Sequence, residues 1–175
     1  MSLEQADGET YALLIEQIER AFADVQYPGD DNIIATPAHV GECEECGGLH
    51  KLLVGRKWRE LIADDESSEH VSHAMSFFSL AGWQYYLPAY LIQSIRLRRF
   101  DSLYFQPKDD PAVAEFNRER IHHLTAEQGQ AVISFLLAVQ KEERFGSYAN
   151  ERNQQALDYW KENYRRIDSR NQDVN

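Results

Sequence analysis

Cysteine is scarce in this chain, with two thiols, Cys43 and Cys46, among 175 residues. A bridge between positions so close together closes a small loop and constrains the unfolded chain little, so a disulfide is not expected to hold the fold together. None is needed, because a chain of this length buries a hydrophobic core of its own. Long apolar runs are also missing. Nothing approaches the roughly 18 consecutive apolar residues of a membrane span, and the stretch from Met1 to Gln5 lacks the basic and apolar regions of a signal peptide. The expectation is a cytoplasmic protein with no membrane partner. The glycine-rich phosphate loop, the dinucleotide fingerprint and the Gly-x-Ser-x-Gly elbow of hydrolases are absent too. No catalytic residue is assigned on these grounds, which weighs against an enzyme.

Basic charge is short in one part of the chain. Residues 1–70 carry 16 acids and 5 bases, whereas residues 71–175 carry 13 of each, so the whole net charge of -11 lies N-terminal. Such a field repels phosphate backbones, and nucleic acid is not an expected partner. A basic protein is. Candidate contacts are Asp30, Asp31, Glu44, Glu45, Asp64 and Asp65, with Tyr85 added because it falls off the main apolar stripe of its helix. The plainer reading of the same acids is solubility. The oligomeric state is left open.

What is present is helical periodicity. From Glu9 to Val25 the apolar residues Tyr11, Leu14, Ile15, Ile18, Phe22 and Val25 recur at three and four residue steps, which predicts a helix with one buried face. Pro28 and Gly29 stop it. A short helix is expected from Cys43 to Val54, interrupted at Gly47 and Gly48, then a turn or two at Trp58 to Leu61 and another segment at Val71 to Phe78. Leu80 to Leu97 is apolar most of the way round, the mark of a central helix, with Pro88 placed to kink it. Trp83, Tyr85, Tyr86 and Tyr90 lie on it beside leucines, a spacing that suits core better than a pocket. Asp110 ahead of Pro111 caps a helix turning Val113, Phe116 and Ile121 inward. Thr125 with Gln128 is a capping box ahead of Val132, Phe135, Leu136 and Val139. A long surface helix runs from Ser147 to Ile167. The sum is an all-α fold of six or seven helices, a single domain over residues 1–167 with a frayed tail at 168–175, and at most a minor strand near 103–107.

The segment around Cys43 carries the sharpest chemical question. Thiolate and imidazole suit zinc, and a Cys-x2-Cys turn lets two sulfurs reach one ion. A structural site wants four ligands, so His39 and His50 would complete a set with Cys43 and Cys46, with His70 and His73 as substitutes. This gives a second functional reading, a zinc-binding protein or metal-dependent hydrolase. Two cysteines packed as small hydrophobes are the simpler alternative. A thiol-redox reading has Glu42, Glu44 and Glu45 against it, and no thioredoxin-like alternation of strand and helix surrounds the motif. Glu119 and His122 have the spacing of di-iron bundle ligands, but such sites need that motif twice.

Three elements, W-R-E-L at 58–61, Y-Y-L-P-A-Y-L at 85–91 and L-T-A-E-Q at 124–128 with Phe135 and Leu136, together resemble an uncharacterised bacterial family of small acidic helical proteins. The resemblance covers roughly Leu14 to Leu137, with Y-Y-L-P-A-Y-L as its specific element. It implies a shared fold and no activity. Where that family leads one to expect an acidic and a small apolar residue just before Y-Y-L-P, this chain has Gly82 and Trp83.

Overall fold

The computed structural model describes residues 3–64, 74–98, 105–141 and 147–172. Regular structure among them is helical. The α-helices are α1 (Leu3–Ala21), α2 (His39–Glu42), α3 (Glu44–Leu53), α4 (Trp58–Ile62), α5 (Leu80–Leu97), α6 (Pro111–His123), α7 (Ala126–Gln140) and α8 (Ser147–Gln172), with a 3-10 turn at Asp30–Asn32. The all-α expectation holds. The strand looked for near 103–107 does not form where it is described, since Phe105 sits in a turn and residues 103 and 104 lie outside the described residues. One isolated antiparallel bridge, Ile34 with Phe78, is the closest approach to a sheet among the described residues.

Several element ends differ from expectation. Helix α1 begins at Leu3, about two turns earlier than the apolar pattern, and ends at Ala21, one turn short of Val25. The helix expected around Val71 to Phe78 falls partly outside the described residues, and Met75 to Phe77 form a turn. Helix α8 continues past Ile167 to Gln172, and residues 173–175 lie outside the described residues.

Contacts divide the chain into two compact units, residues 22–99 and residues 1–21 with 100–175. In the first, α5 is buried from Gly82 to Ile95 with Gln84 alone less covered, and the helix runs through Pro88 without a break. Its N-terminus is fastened to the Asp30–Asn32 turn. The Ser79 hydroxyl accepts from the Gly82 N–H at 2.9 Å and donates to the Asn32 carbonyl, while the Ser79 N–H donates to the Ile33 carbonyl at 3.0 Å. This crossing explains Gly82. A Cβ there would collide with the Ile33 carbonyl oxygen, so the position requires glycine, and the following Trp83 is buried at 1% exposure. Farther along, the Tyr86 hydroxyl donates to the carbonyls of Leu53 (2.8 Å) and Arg56 (3.1 Å), tying α5 to the end of α3. Helix α4 packs on α5 through buried Trp58, Leu61 and Ile62.

In the second unit α7 is packed by α1 on one side and α8 on another, and α6 lies on α8. The capping box at its start is formed as the sequence suggests, with the Gln128 N–H donating to Thr125 Oγ1 (3.2 Å) and the Thr125 N–H to Gln128 Oε1 (3.1 Å). Gln128 also donates to the Ala21 carbonyl at 3.3 Å, which locks the end of α1 to the start of α7. Gly129 leaves room for the Tyr164 ring, whose hydroxyl donates to the Ala126 carbonyl at 2.9 Å. Helix α6 corrects the expected inward face. Val113 is 45% exposed, and the buried positions are Asn117, Arg120 and Ile121. The Arg120 guanidinium rests over the Phe116 ring at 4.4 Å, and burial pulls its pKa down to about 10. A charged residue at this register is what an apolar-pattern reading passes over.

Candidate functional site

The acids singled out from the sequence lie mainly on one short stretch of the 22–99 unit. Gly29 supplies the positive φ of 84° that turns the chain into Asp30–Asn32, and the Asn32 side chain closes the turn on the Pro28 carbonyl at 3.1 Å. Two side chains then pin this turn to α3. Tyr27 donates its hydroxyl to Asp30 Oδ1 at 2.5 Å and accepts the Gly55 N–H at 2.8 Å. His50 Nε2 meets the Asp30 carbonyl at 2.9 Å, and because a carbonyl only accepts, that nitrogen carries the proton. The turn is held through its backbone and through Asp30 Oδ1, while Asp30 and Asp31 both remain exposed.

Glu42, Glu44 and Glu45 are likewise exposed, at the joint of α2 and α3. Salt bridges among the described residues include neither these three nor Asp30 and Asp31. Asp64 differs, since Arg56 holds it at 3.1 Å, and Asp65 lies outside the described residues. Tyr85 is not at the surface. It is 5% exposed, with its ring edge-on to Tyr27 (5.4 Å) and to Tyr86 (4.9 Å), and burial pushes its phenol above the ordinary value. Its companions Trp83, Tyr86 and Tyr90 are core, as their spacing suggests.

The cysteines occupy the joint itself. Cys43 has extended backbone (φ -105°, ψ 121°) as the N-cap of α3, its N–H donating to the His39 carbonyl at 2.8 Å and its carbonyl accepting the Gly47 N–H at 2.9 Å. That break separates α2 from α3, so His39 lies on a different helix from Cys46 and His50. Gly47 allows α2 and α3 to approach, because a Cβ there would stand 2.7 Å from the Val40 carbonyl oxygen. Cys43 is half-buried and Cys46, one turn into the helix, is 3% exposed; both are free thiols. No side-chain bond of full capping geometry forms, yet the backbone N–H and thiol of Cys46 stand close enough to the Cys43 sulfur to hold its pKa below the ordinary value. Burial, then the adjoining Cys43 sulfur, pushes the Cys46 thiol up.

Among the described residues no three His, Cys, Asp or Glu side chains gather as a cation would require. His39 is exposed, His50 is committed through Nε2 to the Asp30 carbonyl, and His70 and His73 lie outside the described residues. Glu119 and His122 both face solvent on α6. The other unit has an open cleft of about 400 Å³ lined by Gln17 and Arg20 of α1, Glu127 and Gln130 of α7, and Tyr164 of α8. It presents both signs of charge and no nucleophile paired with a base.

The architecture is therefore that of an all-helical protein in which no described helix is long and apolar enough to cross a membrane. The sequence matches the model of a family of unknown function, DUF6714, over residues 10–164, and the chain belongs to that family. The match reaches beyond the Leu14 to Leu137 span carried by the motifs and takes in most of α8, which is consistent with Trp160 and Tyr164 packing into the unit. Neither the comparison with curated proteins nor that with solved structures finds a match.

Proposed function

We propose that this protein is a non-catalytic interaction module whose exposed carboxylates on the Asp30–Asn32 turn and the α2–α3 joint dock a basic protein. The observation that carries the reading is the exposure of Asp30, Asp31, Glu42, Glu44 and Glu45, with none in an ion pair among the described residues, on a turn and joint held by the Tyr27 and His50 hydrogen bonds. Carboxylates carried on a held backbone lose less conformational freedom when a cation arrives than the same charges on a loose chain, which favours association. Tyr85 supports the surface from beneath by packing on Tyr27.

The test uses a lysine-rich peptide of defined length as probe in titration calorimetry. Asp31→Asn with Glu44→Gln and Glu45→Gln should weaken binding several-fold. Removing three exposed acids of the other unit, Glu119→Gln, Glu127→Gln and Glu151→Gln, should change it far less. Wild-type affinity should fall steeply as salt rises, because exposed charges are screened beyond about 8 to 10 Å at physiological ionic strength. Equal losses in the two triple variants would refute a localised face.

A further inference from the structure

The α2–α3 joint holds a pair of groups that the docking reading does not use. Cys43 and Cys46 occupy the N-cap and third position of a ten-residue helix, the first half-buried and the second buried. Helical geometry puts the Cα atoms of such a pair about 5 to 6 Å apart, inside the range that a disulfide spans without backbone movement. The two differ in access. Cys43 is half-buried at the mouth of the joint, whereas Cys46 at 3% exposure meets Cys43 more readily than it meets a molecule from solution.

We propose that Cys43 and Cys46 are a redox-active dithiol that closes reversibly to a disulfide by exchange with a small disulfide of neutral or positive charge, Cys43 entering and Cys46 resolving. The Cys43 thiolate attacks one sulfur of the small disulfide; a mixed disulfide forms, the small S–S bond breaks, and the departing thiolate takes a proton from water. Cys46 then gives its proton to solvent and attacks the Cys43 sulfur, and the second small thiolate leaves. Two protein thiols are oxidised by two electrons and one small disulfide is reduced to two thiols. Cys43 sits at the N-terminal end of α3, where the positive end of the helix dipole favours negative charge on its sulfur before attack. Glu42, Glu44 and Glu45, all exposed beside the pair, repel an anionic disulfide and admit a cationic one, which sets the substrate charge. The inference stands whether or not the acidic face docks a partner.

The experiment reacts reduced, chelator-treated full-length protein with cystamine and, separately, with oxidised glutathione, and follows intact mass. Wild type should close to the intramolecular disulfide with little mixed species, return to dithiol with dithiothreitol, and react at least several-fold faster with cystamine. Cys46→Ser, or Cys46→Ala if serine is not tolerated in the core, should accumulate the mixed disulfide at Cys43. Cys43→Ser should react at least ten-fold more slowly. Wild type that stops at the mixed species would overturn the proposal, as would Cys43→Ser reacting as fast as Cys46→Ser. So would near-stoichiometric zinc in protein purified without chelator that shields both thiols, which would make the pair ligands instead. Equal rates with the two disulfides would remove the charge preference.

Discussion

Gly47 and Gly48 are neighbours in the interior of α3, and replacing each by alanine should move stability in opposite directions. A glycine inside a helix costs about 0.5 to 1 kcal/mol relative to alanine, because it surrenders more backbone freedom on folding. At Gly48 nothing lies within 4 Å of the added Cβ, so Gly48→Ala should gain that amount. At Gly47 the new carbon would stand 2.7 Å from the Val40 carbonyl oxygen, a backbone atom that cannot turn aside. Relief requires α2 to shift, and overpacking of this kind costs about 1 to 3 kcal/mol. Set against the same helix gain, the net for Gly47→Ala runs from about no change to a loss of about 2.5 kcal/mol, against a gain at Gly48. For a chain of this size each kcal/mol corresponds to roughly 2 to 4 °C in Tm. Chemical denaturation followed by circular dichroism gives the difference through the shift of midpoint at constant slope. Two stabilised variants would show that α2 does not press on α3 at this point, and the description of the joint would fail with it.

Other expectations follow from single side chains. Tyr86→Phe removes the donor shared by the Leu53 and Arg56 carbonyls and should cost about 1 to 3 kcal/mol in the same assay; a neutral change would mean that those carbonyls find other donors. Asp110→Ala loses the acceptor for the Ala112 and Val113 N–H groups and should cost about 1 kcal/mol, with Asp110→Asn nearly neutral by comparison. Burial raises the phenols of Tyr27, Tyr85, Tyr86 and Tyr159, so the native state holds these protons more tightly than the unfolded chain does. Their contribution is complete below the ordinary tyrosine value of about 10 and is lost as pH rises through the higher native values. Stability should therefore fall above pH 10, with tyrosinate absorbance of folded protein lagging that of unfolded protein. Coincident titrations would contradict the burial.

Sequence reading succeeded where one local signal decided the outcome. The Thr125 and Gln128 box, the Asp110 cap and the apolar girth of α5 each state their role within a few residues. It failed where a distant atom decided. Val113 fits an apolar stripe, but the buried face of α6 turns through Asn117 and Arg120, and the Arg120 guanidinium lies over the Phe116 ring, a contact that no periodicity registers. Tyr85 falls off the leucine stripe, yet Tyr27, fifty-eight positions earlier, covers it. Gly47 looks like a helix interruption until the Val40 carbonyl is known to lie above it. The break at Cys43 leaves no mark in the residue pattern, so His39 and His50 read as partners of the cysteines, yet they lie on different helices.

Helix α4 has only five residues, far below the length at which a helix persists by itself in water. The carbonyls of Leu61 and Ile62 at its end accept hydrogen bonds from Gln93 (2.6 Å) and Arg96 (3.3 Å), more than thirty positions downstream. Its local structure is thus written by a remote segment. While the polypeptide is being made, Trp58 to Ile62 has only the Lys57 N–H to Glu60 bond to favour coiling until α5 has followed it out, and Trp58 and Leu61 lack that cover in the interval. The order of synthesis and the order of folding run in opposite senses here, so a chain halted before Gln93 should leave this tryptophan exposed to whatever apolar surface meets it first.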